Sequence, residues 1–293
     1  TGDYAIKFEK EAEEGKYQYM VTDYPGTIGL RFNFINGGTS GLMSNVKIRK
    51  AISYSIDREE MIDAVYGRYN PAYSYVAPAI TFNGSSYRSQ VGEVIEDEYN
   101  EYVGDPDKIV ALFQEGLDEL GVETPIEDIT LTYLTSGSTT EVQAEREYIQ
   151  QSLEETLGLT VELSVAGDNS LFIADRNEGN YDFFLGGWYS DYNDPLDFLY
   201  TNYTDAYGMS FGGYSNTDYD ALADQLVGET DMDKRLDIYK QMEQILLLDD
   251  CAFAPIYYAT KQVLLQNWVK DYRTSSFGAS AEFIWTYIDG KNQ

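Results

Sequence analysis

Ile129-Thr-Leu-Thr-Tyr-Leu134, then a helical run from Glu141 to Leu157, then Leu159-Thr-Val-Glu-Leu-Ser-Val165 is the stretch that decides the fold. The outer pieces are rich in β-branched residues, and in the second apolar and polar side chains alternate with the period of a strand. Between them the apolar positions recur at helical spacing, and Gly158 closes the helix. Strand, helix and strand in that order make a parallel pair joined by a crossover. The pattern continues: Ser170 to Glu178 predicts a short helix, and Tyr181 to Gly187 an apolar strand. The expected class is α/β, a mainly parallel sheet with flanking helices.

Towards the N-terminus, Asp105-Pro106 opens a helix with Asp as cap and Pro as first residue, ending at Leu120-Gly121. Near Ser44-Asn45 a cap opens a helix with apolar positions Val46, Ile48, Ala51, Ile52 and Ile56. Asp57 opens another, Glu59 to Tyr66, ended by Gly67. Tyr17 to Thr22 and Ile28 to Ile35 read as two strands about a Pro25-Gly26 turn, after a charged, helix-permissive segment from Thr1 to Lys16. Residues 68–104 predict a long irregular connection. Towards the C-terminus come helices near Asp218 to Val227 and Met232 to Leu248. Two strands follow, Phe253 to Tyr258 and Gln262 to Leu265, and Phe283 to Ile288 predicts a last one.

The 293 residues, 43% hydrophobic and 24% charged, suffice for a substantial core. Fifty acids against 20 basic residues give a net charge of -30, which argues against a phosphate-binding surface and against docking on anionic lipid. Neither nucleic acid nor direct membrane insertion is expected: the longest apolar run, Ile245 to Leu248, stops at Asp249-Asp250. The chain opens Thr1-Gly2-Asp3 without an initiator Met and reads as a piece of a longer protein. Its one cysteine, Cys251, excludes an internal disulfide and reads as a small buried hydrophobe.

The absence of histidine removes the commonest general base, the usual zinc ligand and the Ser-His triad. Gly37-Gly38 and Gly212-Gly213 are isolated pairs that signify turns, so no phosphate loop is present. Asp191, Asn193 and Asp197 offer alternating oxygens, but Pro195 at the fifth position and no glycine at the sixth exclude a calcium loop of the helix-loop-helix type. Asp191 and Asp194 as a glycosidase pair are a weak signal. The expectation is a protein without metal or cofactor that is not an enzyme.

Gly186-Gly-Trp-Tyr-Ser-Asp-Tyr-Asn-Asp-Pro195 directly follows an apolar strand, at the end of a parallel sheet where ligands collect. Trp188, Tyr189 and Tyr192 would give a low-polarity wall beside Asp191, whose carboxylate can hold a cationic ligand group. Asp194-Pro195 reads as the cap of a helix through Leu199. No Lys or Arg occurs between Arg176 and Lys234, so a cleft lined from here would attract cations.

Three motifs make the chain resemble the peptide-class solute-binding proteins of ABC importers. They are Asn45-Val-Lys-Ile-Arg-Lys-Ala-Ile-Ser-Tyr-Ser-Ile-Asp-Arg-Glu-Glu60, Tyr181-Asp-Phe-Phe-Leu-Gly-Gly-Trp-Tyr-Ser-Asp-Tyr-Asn-Asp-Pro195 and Tyr214-Ser-Asn-Thr-Asp-Tyr-Asp-Ala-Leu222. Their order holds from about residue 28 to 287, and the Pro255-Ile-Tyr-Tyr258 strand fits as well. The resemblance implies the second lobe of a type II, cluster C periplasmic-binding-protein-like fold. It divides the chain into 1–27 from the lobe junction, 28–265 as the ligand-binding lobe, and 266–293 as a tail returning towards a first lobe outside this sequence.

It also implies a site. Asp191 takes the position that holds a peptide's N-terminal ammonium, with Trp188 and Tyr189 lining the pocket and Gly187 and Ser190 beside them. Family members grip the peptide backbone as an added strand. Arg176 matches one basic residue used for the C-terminal carboxylate. Leu185 stands where a second such residue would be, a family histidine is replaced near Thr139, and a ligand-covering tryptophan is replaced by Asn169. Strict selection of tri- or tetrapeptides is therefore not expected. The implied function is an extracytoplasmic receptor, a cell-surface lipoprotein of a Gram-positive bacterium, that passes oligopeptides to ABC permease subunits. Two other readings stand beside it: the same fold holding a solute such as an oligosaccharide, and a peptide-sensing surface protein without transport. Asp191 speaks against a neutral sugar, which brings no cation to compensate a buried acid.

Overall fold

The computed structural model describes the backbone of residues 2–204, 211–277 and 281–291. Its main helices are α1 (Gly2–Glu13), α2 (Val46–Tyr54), α3 (Arg58–Met61), α4 (Pro106–Leu120), α5 (Thr140–Leu157), α6 (Asn169–Glu178), α7 (Pro195–Leu199), α8 (Thr217–Gln225) and α9 (Met232–Gln244). Most start at a side-chain oxygen that accepts an otherwise orphaned N–H: Asn45 for α2, Asp105 for α4, Thr139 for α5, Asp168 for α6 and Asp194 for α7. Gly67, Gly121, Gly158 and Gly179 end elements in the left-handed conformation.

Six strands form the main sheet: β1 (Gln18–Phe32), β2 (Asn70–Pro71), β3 (Thr130–Ser136), β4 (Thr160–Ala166), β5 (Phe183–Tyr189) and β6 (Phe253–Leu265), in the order β2-β6-β1-β5-β3-β4. β3 pairs parallel with both β4 and β5, while β1 pairs antiparallel with β5 and with β6. Four strands, β6, β5, β3 and β4, therefore point the same way and β1 runs against them, which gives the expected α/β lobe with crossover helices α5 and α6.

Alternate side chains feed cores on the two faces of the sheet. Phe183 joins a cluster with Ile52 of α2, Phe113 of α4 and Ile149 and Leu153 of α5. On the other face Phe184 packs against Phe172 of α6, while Phe253 and Tyr258 of β6 meet Phe198 of α7, Tyr219 of α8 and Met242 of α9.

Four expectations are corrected. The segments on either side of Pro25-Gly26 form one strand, β1. Its pairing with β6 shifts between Asp23 and Thr27, where β1 takes four residue steps against two on β6. Pro25 has no N–H for the ladder, and a bulge absorbs it without a turn. Likewise the strands expected on either side of Ala259-Thr260 are one continuous strand, β6, in which Ala259 lies opposite the β1 bulge. The predicted strand at Phe283 to Ile288 shrinks to Tyr287–Ile288, paired with Val269–Lys270. The connection 68–104 carries two short helices, Tyr87–Val91 and Glu96–Tyr102. The tail assigned to 266–293 lies outside the described residues at 278–280 and 292–293.

Candidate ligand-binding site

β5 is clasped on both edges only at its start. Against β1 all seven residues, Phe183 to Tyr189, are in register, but β3 pairs with Phe183 and Phe184 alone. Beyond Leu134 and Phe184 the two strands part, and β3 leads through Ser136 into α5. Among the described residues, the β3-facing edge of Leu185 to Tyr189 therefore has no strand partner. This gap lies at the carboxyl ends of parallel strands, where the crossovers leave for different sides of the sheet.

Peptide direction along β5 follows from its two ends. Asp182 C=O accepts the N–H of Asn33 at 2.9 Å, and Ser190 N–H donates to Pro25 C=O at 2.7 Å. Between them strand alternation turns the N–H and C=O of Phe184, Gly186 and Trp188 towards β1. Those of Leu185, Gly187 and Tyr189 face the open edge. Gly187 is required sterically as well: a Cβ there would sit 1.9 Å from the Thr27 carbonyl oxygen.

The loop after β5 is held in place at almost every residue except one. Asp197, buried in α7, accepts the indole N–H of Trp188 at 2.9 Å and the backbone N–H of Asp191 at 2.8 Å on the same oxygen, Oδ2. Asn193 exchanges two hydrogen bonds with Thr81, at 2.8 and 2.6 Å. Asp194 caps α7 and accepts the Tyr239 hydroxyl at 2.8 Å, as the reading of Asp194-Pro195 expects. The Ser190 hydroxyl donates to Tyr192 C=O at 2.6 Å. The Asp191 carboxylate is exposed and has no partner among the described residues. An acid on a fixed backbone with free oxygens suits a cationic ligand group.

Tyr189 stands beside this loop with its ring over the β1 bulge. A Cβ on Gly26 would come within 2.3 Å of the ring, so the Pro25-Gly26 bulge is the seat of Tyr189. The ring lies 5.7 Å from that of Tyr24 and remains 47% exposed, a large apolar surface offered to the cleft. Burial of its hydroxyl, with Tyr69 and Tyr24 nearby, pushes the phenol up to about 12, so it is neutral and able to donate a hydrogen bond.

The structure brings Gly187, Trp188, Tyr189, Ser190 and Asp191 together on one rim. Asn169, exposed in the first turn of α6 just past the end of β4, stands at the carboxyl end of the sheet, two strands from β5. Arg176 does not join them: α6 runs back against the strands, and Arg176 in its last turn faces Tyr181 at the other end of β5. Sequence reasoning missed Asp197 as the residue that fixes Trp188 and Asp191. Its place, one helical turn after the Asp194 cap, was the available signal.

The description "Bacterial extracellular solute-binding proteins, family 5 Middle" matches residues 3–210. The chain is 30% identical over 249 residues to the dipeptide-binding protein DppE of Bacillus subtilis, covering 84% of this chain and 42% of that protein. It is 31% identical over 237 residues to the oligopeptide-binding protein OppA of the same organism, covering 78% of this chain and 39% of that protein. The structure of Listeria monocytogenes OppA bound to peptide superposes with a TM-score of 0.74 at 29% identity, over 96% of this chain and 52% of the other. The chain thus spans about half the length of these relatives or less.

Proposed function

We propose, from the premise that this chain belongs to the family 5 bacterial extracellular solute-binding proteins, that it forms one wall of an oligopeptide-binding cleft in an import receptor. The observation that carries this reading is the open edge of β5, with the peptide groups of Leu185, Gly187 and Tyr189 directed at it and Asp191 just beyond its end. An extended peptide adds there as a strand; its main chain supplies affinity with little sequence preference. Asp191 takes the N-terminal ammonium, Trp188 and Tyr189 cover the first residues, and Ser190 shapes the loop. Asn169 lies at the carboxyl end of the same parallel strands, and Arg176, at the far end of β5 where both edges are paired, has no place beside the added strand.

The whole protein closes a first lobe over this wall. The exposed side chains Val21 and Leu264 on the β1–β6 ribbon, and Phe283, Ile284 and Trp285 in the tail, support the assignment of 1–27 and 266–293 to the junction with that lobe. The receptor is a surface-anchored lipoprotein that hands peptides to ABC permease subunits and catalyses no reaction. Calorimetry of the intact protein with a free peptide and its N-acetylated form tests the reading. The free peptide should bind roughly tenfold or more tightly, the scale of a charge-assisted hydrogen bond. Equal affinity for both forms removes Asp191 from the site, and no binding of either contradicts the peptide reading.

A further inference from the structure

Resting on that reading, we propose that Glu145 of α5 selects a cationic side chain of the bound peptide, on the α5 side of β5. α5 leaves the sheet beside the open edge, and Glu145 lies one turn after Glu141 on its cleft end. One carboxylate oxygen, Oε2, accepts the hydroxyl of Tyr66; the other has no donor among the described residues.

Among the described residues, no cation is paired with Glu145. The groups that face it on α5 itself are Glu141 and Arg146, and Arg146 lies towards the same buried Tyr133 of β3 that senses Glu145. From the segment after α3 come Tyr66 and Arg68, from β5 Tyr189, and from β6 Tyr257. Arg68 is committed elsewhere: it forms a two-pronged bridge to Glu141 and donates to the Tyr69 hydroxyl at 3.1 Å. The tyrosines supply rings and hydroxyls but no cation.

The rings are also the right surface. Tyr69 stacks on Tyr257 with centroids 4.4 Å apart and planes 2° from parallel, and Tyr66 lies 4.9 Å from each. Tyr66 and Tyr257 are buried behind Tyr69, so the ring surface open to a ligand is that of half-buried Tyr69 and of Tyr189, 47% exposed. It accepts the methylene stem of lysine or arginine and attracts its charged head. Glu145 stands at its edge, half-buried. Burial pushes the Glu145 carboxyl up to about 7, opposed by the Tyr66 hydrogen bond. An arriving cation favours the ionised form, so binding releases a proton near neutral pH and tightens as pH rises through this range. Asp191 serves the ammonium at the peptide's end, and Glu145 a charge along its length.

The test uses the intact protein and peptides identical except for lysine or norleucine at one position, scanned along the peptide. At one position lysine should bind roughly tenfold tighter than norleucine near pH 8. The ratio should shrink near pH 6 and fall towards one in Glu145→Gln. Calorimetry of the unaltered protein in two buffers of different ionisation enthalpy adds a readout that needs no variant: the lysine peptide should release a proton near pH 7, and the norleucine peptide should not. A lysine preference unchanged in Glu145→Gln, or no preferred position and no proton release, overturns the assignment while leaving the peptide reading intact. Failure to bind any of the peptides overturns both.

Discussion

Asp182 and Asp191 flank the same strand and differ in everything but chemistry. Asp182 is fully buried at the start of β5, where its Oδ1 accepts the N–H and hydroxyl of Ser40 at 2.8 and 2.7 Å and its Oδ2 the N–H of Thr132 at 2.7 Å. Asp191, beyond the end of β5, has its backbone held by Asp197 and its carboxylate in solvent. The strand repeats the contrast: Phe183 and Phe184 are paired on both edges, Leu185 to Tyr189 on one. A carboxylate saturated by its own chain is part of the fold. One that is positioned but left unbonded can take its donor from outside.

The largest effect that would test this contrast is on stability. Asp182→Ala leaves two part-buried backbone N–H groups and a hydroxyl without their acceptor, and should lower unfolding free energy by roughly 2 kcal/mol in urea denaturation. A loss below about 0.5 kcal/mol, the scale of surface substitutions, would break the distinction. Asp191→Asn should reverse the pattern: stability within about 0.5 kcal/mol of the parent, and affinity for a peptide with a free N-terminus reduced roughly tenfold. Asp197→Asn sharpens the comparison, because it disturbs only the support of Asp191 and Trp188. It should cost about 1 kcal/mol of stability and weaken peptide binding less than Asp191→Asn does.

A further effect is a pH dependence. The Glu145 carboxyl is raised to about 7 in the folded protein, above its unfolded value of roughly 4.3. The folded state then holds a proton that the unfolded state has released, so this stabilising contribution is complete below the unfolded value and is lost as pH rises through about 7. Thermal melts of the parent and of Glu145→Gln should diverge between acidic and mildly alkaline pH. Parallel curves would mean that Glu145 is as well solvated as Asp191.

The local grammar of the fold was legible. Asn45, Asp57, Asp105 and Asp194 announce helix starts because a side-chain oxygen must satisfy orphaned N–H groups, and the alternation at Leu159 to Val165 has only one reading. Pro25-Gly26 misled because the same dipeptide suits a turn and a bulge, and the choice depends on a partner strand more than 200 residues away. In the site, Asp191, Trp188 and Tyr189 could be named from the motif. The open edge could not, since it depends on where β3 parts from β5. Nor could the roles of Asp197 and Glu145, whose partners Trp188 and Tyr66 meet them only in three dimensions.

The central claim is that the unpaired edge of β5 binds peptide main chain. Residue-resolved amide hydrogen exchange of the intact protein, with and without a saturating oligopeptide, tests it most directly. The N–H groups of Leu185, Gly187 and Tyr189 should gain protection when peptide is added, while those of Gly186 and Trp188, already turned to β1, should change little. Protection unchanged at Leu185, Gly187 and Tyr189 in a protein that demonstrably holds the peptide would contradict strand addition at this edge.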